Sequence, residues 1–286
     1  MMKKLLSVLL CAALLTAFTG CRFSLFGEEE TTEPPTTAAP EYVTDVNGKE
    51  VPVFENVDMS AFDPQLFRRL DNGRFVYDDE SVLTLTGVDV SVFQDDIDWN
   101  AVAADGIDFA MLRIGGRGYG PEGKIYEDEK FEANYAGARA AGLKVGVYFF
   151  SQAVNIAEAA QEAQYVLQLL NGRALDFPVA YDWEHVSDAS ARTANIAPEL
   201  ITSFCKAFCD QMESAGYQSV IYFNREHGYF SLQLSLLSAY RFWYAEYADY
   251  PSFIYDYWIW QYTESGTVSG INGRVDLNIA LYAPKG

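Results

Sequence analysis

The sequence predicts an α/β barrel. Three observations point to it: strand and helix patterns alternate, the last third of the chain lacks full helices, and acidic residues fall at strand ends. From Leu85 onward, apolar runs rich in β-branched and aromatic residues read as strands, and amphipathic stretches between them read as helices. Repeated strand-then-helix units imply parallel strands. About eight strands in about 200 residues describe a closed barrel smaller than a regular eight-fold one.

The elements are expected in the following order. Lys3 and Lys4 precede the apolar stretch Leu5–Phe18, which ends in Thr19-Gly20-Cys21. A charged start, an apolar middle and small residues before a cut describe a secretory signal peptide over residues 1–20. The stretch is short for a membrane-spanning helix. Its ending is similar to a bacterial lipobox with Cys21 as the lipidated residue. Phe18 stands where Leu is usual, and secretion without lipidation is the alternative. Residues 21–42 are rich in Pro, Thr and Glu and read as a flexible linker. Residues 43–84 form an extension of unassigned function, with turns at Asn47-Gly48 and Asn72-Gly73 and a short helix near Pro64–Leu70.

The barrel domain is expected over 85–286. Its strands are Leu85–Ser91, Phe109–Ile114, Val145–Phe150, Val179–Glu184, Val220–Phe223, Phe242–Glu246, Tyr257–Tyr262 and Val275–Ala280. Helices are expected over Trp99–Asp105, Lys130–Ala141, Ile156–Leu170 and Pro198–Ala215. In the last of these, Cys205 and Cys209 sit one turn apart with Phe204, Phe208 and Met212, which reads as buried thiols on a core face.

Half of the chain is hydrophobic, ample for a sizeable core, and the 19 Tyr and 5 Trp supply rings for packing or for stacking on sugars. The formal charge of −20 argues against nucleic acid and against attraction to an anionic lipid surface, leaving an N-terminal lipid as the only expected membrane contact. The chain is expected to act outside the cytoplasm as a monomer, anchored through Cys21 or else secreted.

The chemistry concentrates in Phe177-Pro178-Val179-Ala180-Tyr181-Asp182-Trp183-Glu184. Side chains alternate along a strand, so Asp182 and Glu184 share one face, roughly 6.5–7 Å apart at Cα. Two acids so placed have unequal pKa values, one kept protonated and one ionised, as glycosidase chemistry requires. Asp89 near the end of the first strand and Asp276 on the last strand join them on one rim if the barrel closes. Each has a plainer reading. Asp89 alone caps a turn, Asp276 bridges to Arg274 or Arg113, and Asp182 with Glu184 forms a solvated face. Tyr181 and Trp183 in an apolar strand weigh against the last of these.

At these residues the chain resembles glycoside hydrolase family 25, the lysozymes that cleave bacterial peptidoglycan. The likeness runs from Gly87 to about Tyr282. It is carried by Gly87-Val88-Asp89-Val90-Ser91 with Gln94, Asp182-x-Glu184, Trp243-Tyr244-Ala245-Glu246-Tyr247, Trp260-Gln261-Tyr262 and Val275-Asp276-Leu277-Asn278. The resemblance implies an irregular TIM-like (β/α)5(β)3 barrel and hydrolysis of the β-1,4 bond between N-acetylmuramic acid and N-acetylglucosamine. It also implies Glu184 as general acid, Asp182 as second catalytic carboxylate, and Asp89 and Asp276 as flanking acids. Two departures, Phe93 and the run Val147-Tyr148-Phe149-Phe150, bear on substrate contacts.

Glu184, one methylene longer and hemmed by Asp182 and rings, is expected to carry the proton, with Asp182 ionised. Asp182 then steers the substrate's acetamido group, attacks directly, or activates water. The resemblance favours the first route, with retention. Tyr148, Tyr222, Trp243, Tyr247 and Trp260 lie at or near strand ends and are expected to bind sugar, although core packing is an equal reading for each. No metal or cofactor is expected: the two histidines, His185 and His227, lack ligand spacing, and Gly115-Gly116-Arg117-Gly118 lacks the ending of a phosphate loop. A glycosidase on chitin-like glycans and a non-catalytic wall-binding barrel are the competing functions.

Overall fold

The computed structural model describes residues 41–282 of the 286-residue chain. The expected signal peptide, Cys21 and the linker up to residue 40 lie outside the described residues. Two short hairpins come first. β1 (Tyr42–Thr44) pairs with β2 (Glu50–Pro52), and β3 (Phe67–Arg69) pairs with β4 (Phe75–Tyr77). Their turns use Gly48 and Gly73 at φ +74° and +81°, a backbone region that glycine enters without strain. The helix expected near Pro64–Leu70 is a single 3-10 turn, Pro64–Leu66. Phe67 leaves it as a strand residue because its ring, with those of Phe75 and Tyr77, packs toward the barrel.

The barrel follows. β5 (Leu83–Val90), α1 (Trp99–Ala104), β6 (Phe109–Arg117), β7 (Ile125–Glu127) and α2 (Phe131–Ala140) open it. Then come β8 (Lys144–Ser151), α3 (Ile156–Leu170), β9 (Val179–Trp183) and α4 (Pro198–Ser214). β10 (Ser219–Asn224), α5 (Arg225–Phe230), β11 (Arg241–Ala245), β12 (Ile259–Gly266) and β13 (Val275–Tyr282) complete it. The sequence gives no sign of β7 and α5, since three and six residues are too short to show a period. The helix ends follow local chemistry. Asn155 caps α3 by accepting from the Glu158 amide, and Asn171 closes it at φ 44°. Pro198 starts α4, whose buried face includes Ile201, Phe204, Cys205, Phe208, Cys209 and Met212.

Strand order β5-β6-β8-β9-β10-β11-β12-β13 returns to β5, so the barrel closes. Pairs from β5 round to β12 are parallel, whereas β13 runs antiparallel to both β12 and β5. This is the α/β barrel expected, with five helices after its first strands and the last three strands joined without full helices.

Strand alternation sorts the core into two parts. Phe109, Met111, Ala180, Val220, Trp243 and Ile259 fill the barrel interior. Alternate residues such as Leu112, Val147, Tyr181, Phe223 and Tyr244 face the surrounding helices and loops. Phe109 and Phe177 stack at 4.2 Å between ring centroids and plug the barrel's floor. Gly87 makes room for that plug, because a Cβ there would stand 2.2 Å from the Phe109 ring. The segment 41–82 shares the outer core, with Phe67 and Phe75 packed on Trp260 at 5.0 and 4.9 Å. Gly87→Ala is therefore expected to destabilise the fold by about 1–3 kcal/mol through overpacking. Urea unfolding followed by circular dichroism checks this, and an unchanged midpoint would exclude the clash.

Candidate active site

Alternation along the strands also fixes which polar groups reach the barrel mouth. On β9, Ala180 and Asp182 point inward and Tyr181 and Trp183 outward, so Glu184, just past the strand, returns to the inward side. β5 contributes Asp89. β13 contributes Asp276, which sits directly opposite Asp89 in the antiparallel register. Asp276 therefore reaches the catalytic rim from the start of its strand, where the parallel strands reach it from their ends. All four acids line one open cleft of about 310 Å³.

Asp89 is the fixed point of the cleft floor. Its Oδ2 accepts from Asn278 Nδ2 at 2.7 Å and from Gln261 Nε2 at 2.9 Å. Trp243 Nε1 donates to Asn278 Oδ1 at 2.8 Å, and the hydroxyls of Tyr222 and Tyr247 donate to Gln261 Oε1 at 2.9 and 3.2 Å. Each amide is thus oriented by a ring whose own polar group is satisfied. Asp276 is pushed up to about 9 by burial and by the charge of Asp89, to which it donates a hydrogen bond. It is a neutral acid at neutral pH.

The pair above the floor behaves similarly. Burial, then the charge of Glu184, raises Asp182 well above the usual carboxylate range. Burial also raises Glu184, while the hydrogen bond from Asp182 works the other way. Both carboxyls are thus shifted toward the protonated form. Asp182 is the deeper of the two at 5% exposed, whereas half-buried Glu184 reaches the cleft mouth. Buried Asp182 Oδ1 has no donor among the described residues. The Glu184 backbone is held by Gln152, whose Nε2 donates to the Glu184 carbonyl at 2.7 Å and whose Oε1 accepts from Thr193 at 2.8 Å.

Four of the five expected sugar-binding residues, Tyr148, Tyr222, Trp243 and Tyr247, line the cleft. Trp260 does not. It alternates with inward Gln261, so its ring faces outward, 0% exposed against Phe67 and Phe75, and its Nε1 donates to the Glu246 carbonyl at 2.9 Å. Nor does Asp276 pair with Arg274 or Arg113. Arg113 is engaged by Asp128 at 2.6 Å, and alternation from inward Phe109 and Met111 carries it into the cleft. Of the floor amides, Asn278 carried a readable signal, because it lies in step with Asp276 on inward positions, whereas Gln261 lies in step with no acid. Glu264 and Gln152 gave none. His185 and His227 stack behind Trp183, 5.0 Å apart, where burial and the neighbouring ring hold His227 down at about 4.

A family model described as Glycosyl hydrolases family 25 matches residues 88–271. The chain belongs to this family. Among family 25 relatives, the autolytic lysozyme of Clostridium acetobutylicum is 28% identical over 195 residues, covering 68% of this chain and 55% of that protein. Lysozyme M1 of Streptomyces globisporus is 26% identical over 202 residues, covering 67% and 66%. The chain thus spans little more than half the length of the first and about two thirds of the second. The modular autolysin LytC of Streptococcus pneumoniae, solved with a synthetic peptidoglycan ligand, superposes with a TM-score of 0.60. That match covers 84% of this chain and 56% of LytC at 24% identity, a likeness of fold.

Neutral buried acids make stability depend on pH. Between the unfolded value of Asp276 and its folded value of about 9, the native state binds a proton that the unfolded chain has released. Stability then falls as pH rises, by about 1.4 kcal/mol per pH unit for one full proton. His227 acts oppositely only below its unfolded value, between about 4 and 6.5. Thermal unfolding from pH 6.5 to 9 is expected to show a declining midpoint that Asp276→Asn flattens. An equal slope in the variant would show that Asp276 is already ionised.

Proposed function

We propose that this chain is a muramidase that hydrolyses the β-1,4 bond between N-acetylmuramic acid and N-acetylglucosamine in peptidoglycan. The observation that carries this reading is the Asp182–Glu184 pair set above the Asp89–Asp276 pair in one open cleft. Family membership and the lysozyme relatives support it.

Glu184 acts as general acid and Asp182 as the partner of the substrate's 2-acetamido group. An acetamido N–H donating to Asp182 supplies the hydrogen bond its carboxylate lacks, stabilises the anion and leaves the proton on Glu184. Glu184 then protonates the leaving oxygen as the acetamido oxygen attacks the anomeric carbon, giving an oxazolinium. Water opens that ring with Glu184 taking its proton back, and configuration is retained. Asp89, whose carboxylate form is favoured against burial by donors from Asn278, Gln261 and Asp276, stabilises positive charge at the sugar ring. Tyr148, Tyr222, Trp243 and Tyr247 form the sugar-facing walls. Residues 1–20 direct export and Cys21 carries the lipid, so the domain works as a monomer on wall glycan outside the membrane.

Reducing ends released from purified peptidoglycan test the reaction. Glu184→Gln is expected to cut the rate by about 10²–10⁴-fold with glycan binding retained. Undiminished activity would remove Glu184 from the acid role, and activity on chitin oligomers alone would replace the muramidase by a chitin-type glycosidase. For the anchor, Cys21→Ser is expected to move the protein from the membrane fraction to the soluble one. A wild-type protein already soluble would mean plain secretion.

A further inference from the structure

The cleft does not end at Glu184. A second lobe of about 300 Å³ adjoins it, sharing Glu184, Tyr222 and Tyr247 and bounded by Arg225 and Glu246. Tyr247 is the wall between the two lobes and is 53% exposed. It is the second residue of an irregular segment, 246–252, that joins β11 to the approach of β12.

That segment is held by residues that precede the family-matched region. Asp45, in the β1–β2 hairpin, has a fully buried side chain and pairs with Arg225 Nη2 at 2.6 Å. Arg225 Nε donates to Ser252 Oγ at 3.2 Å. Ser252 in turn donates to Glu246 twice, from its amide at 2.6 Å and its hydroxyl at 2.7 Å. The Tyr244 hydroxyl also donates to Glu246, at 2.9 Å. Two further contacts fasten the same segment. Tyr250 donates to Asn47 Oδ1 at 3.2 Å, and Arg69 Nη2 donates to Asp249 Oδ1 at 3.1 Å. A partly buried, charge-assisted relay anchored on buried Asp45 resists loss of that partner, because the Arg225 charge loses its compensation.

We infer that the hairpin 42–52 is part of the substrate-binding apparatus, with Asp45 as a positioning residue that acts through Arg225, Ser252 and Glu246 on Tyr247. The hairpin touches no catalytic acid, so its effect falls on glycan held across the two lobes rather than on the chemical step. Asn at position 45 keeps the shape but loses the charge that orients Arg225.

This inference rests on the proposed function for its kinetic arm only. Hydrogen exchange on full-length Asp45→Asn is expected to speed at least about ten-fold at the Glu246 and Ser252 amides, with β8, β9 and β10 unchanged. On soluble peptidoglycan fragments the same variant is expected to raise KM about three- to ten-fold, with kcat within about two-fold. Combined with Tyr247→Ala it is expected to add little further, since both act through one wall. Tyr250→Phe, which removes a contact at the surface, gives a smaller change in the same direction and covers the case in which Asp45→Asn fails to fold. Loop amides as protected in both variants as in the wild type would overturn the inference, as would a fall in kcat at constant KM or independent effects in the double variant. A wild-type protein inactive on peptidoglycan would refute the proposed function while leaving the exchange result to decide the positioning role.

Discussion

Four carboxyl groups crowd the mouth of a closed barrel beside one arginine, and that arginine is already paired with Asp128. Like charges at such range in a poorly hydrated site cannot all ionise together. Two answers are built into the fold. Burial raises the Asp89 carboxyl, and donors from Asn278, Gln261 and Asp276 work against that rise, so that Asp276 is the one that holds a proton against it. Asp182 and Glu184, both raised by burial, stand above that floor as a second interacting pair. The rings around the floor serve the same electrostatics, because Trp243, Tyr222 and Tyr247 orient the amides that hold the anion.

Much of this is legible in the sequence because strand alternation is a strict rule. Applied to Asp182 and Glu184, it puts both acids on one side from their spacing alone. Applied to Gln261, the same rule turns Trp260 outward. Trp260 invites a reading as a sugar contact because an aromatic near a strand end looks alike on either face. Helix α3 matches its expected limits because its signals are local, an Asn at each end and an apolar stripe between. The upward shift of both carboxyls is not legible. It depends on how deep each carboxyl lies, and depth is set by the whole barrel.

Residues 43–84 show a different limit. Their sequence is weakly patterned because their strands are three residues long and their rings bury against the barrel rather than in a core of their own. Phe67 and Phe75 find Trp260, Asp45 finds Arg225, and Arg74 finds Asp105. A short strand with one ring facing the barrel carries no period to detect, and an acid awaiting a partner 180 residues away looks like any solvated Asp. What reads as an extension is thus a buttress, welded to the outer side of the last strands.

The reversed direction of β13 has a consequence in time as well as space. Asp89 lies on the first barrel strand, and its partner Asn278 comes 189 residues later on the last. A chain delivered N-terminus first carries Asp182 and Glu184 well before the residues that hold Asp89 in place. Closure of the final strand is therefore also the assembly of the reactive centre, and long-range pairings of that kind form late. A nascent chain carries no assembled acidic cleft until β13 is free to turn back. A truncation that removes only β13 would leave the Asp182–Glu184 pair in sequence but without its floor. The returning strand is thus itself a check on when the cleft exists.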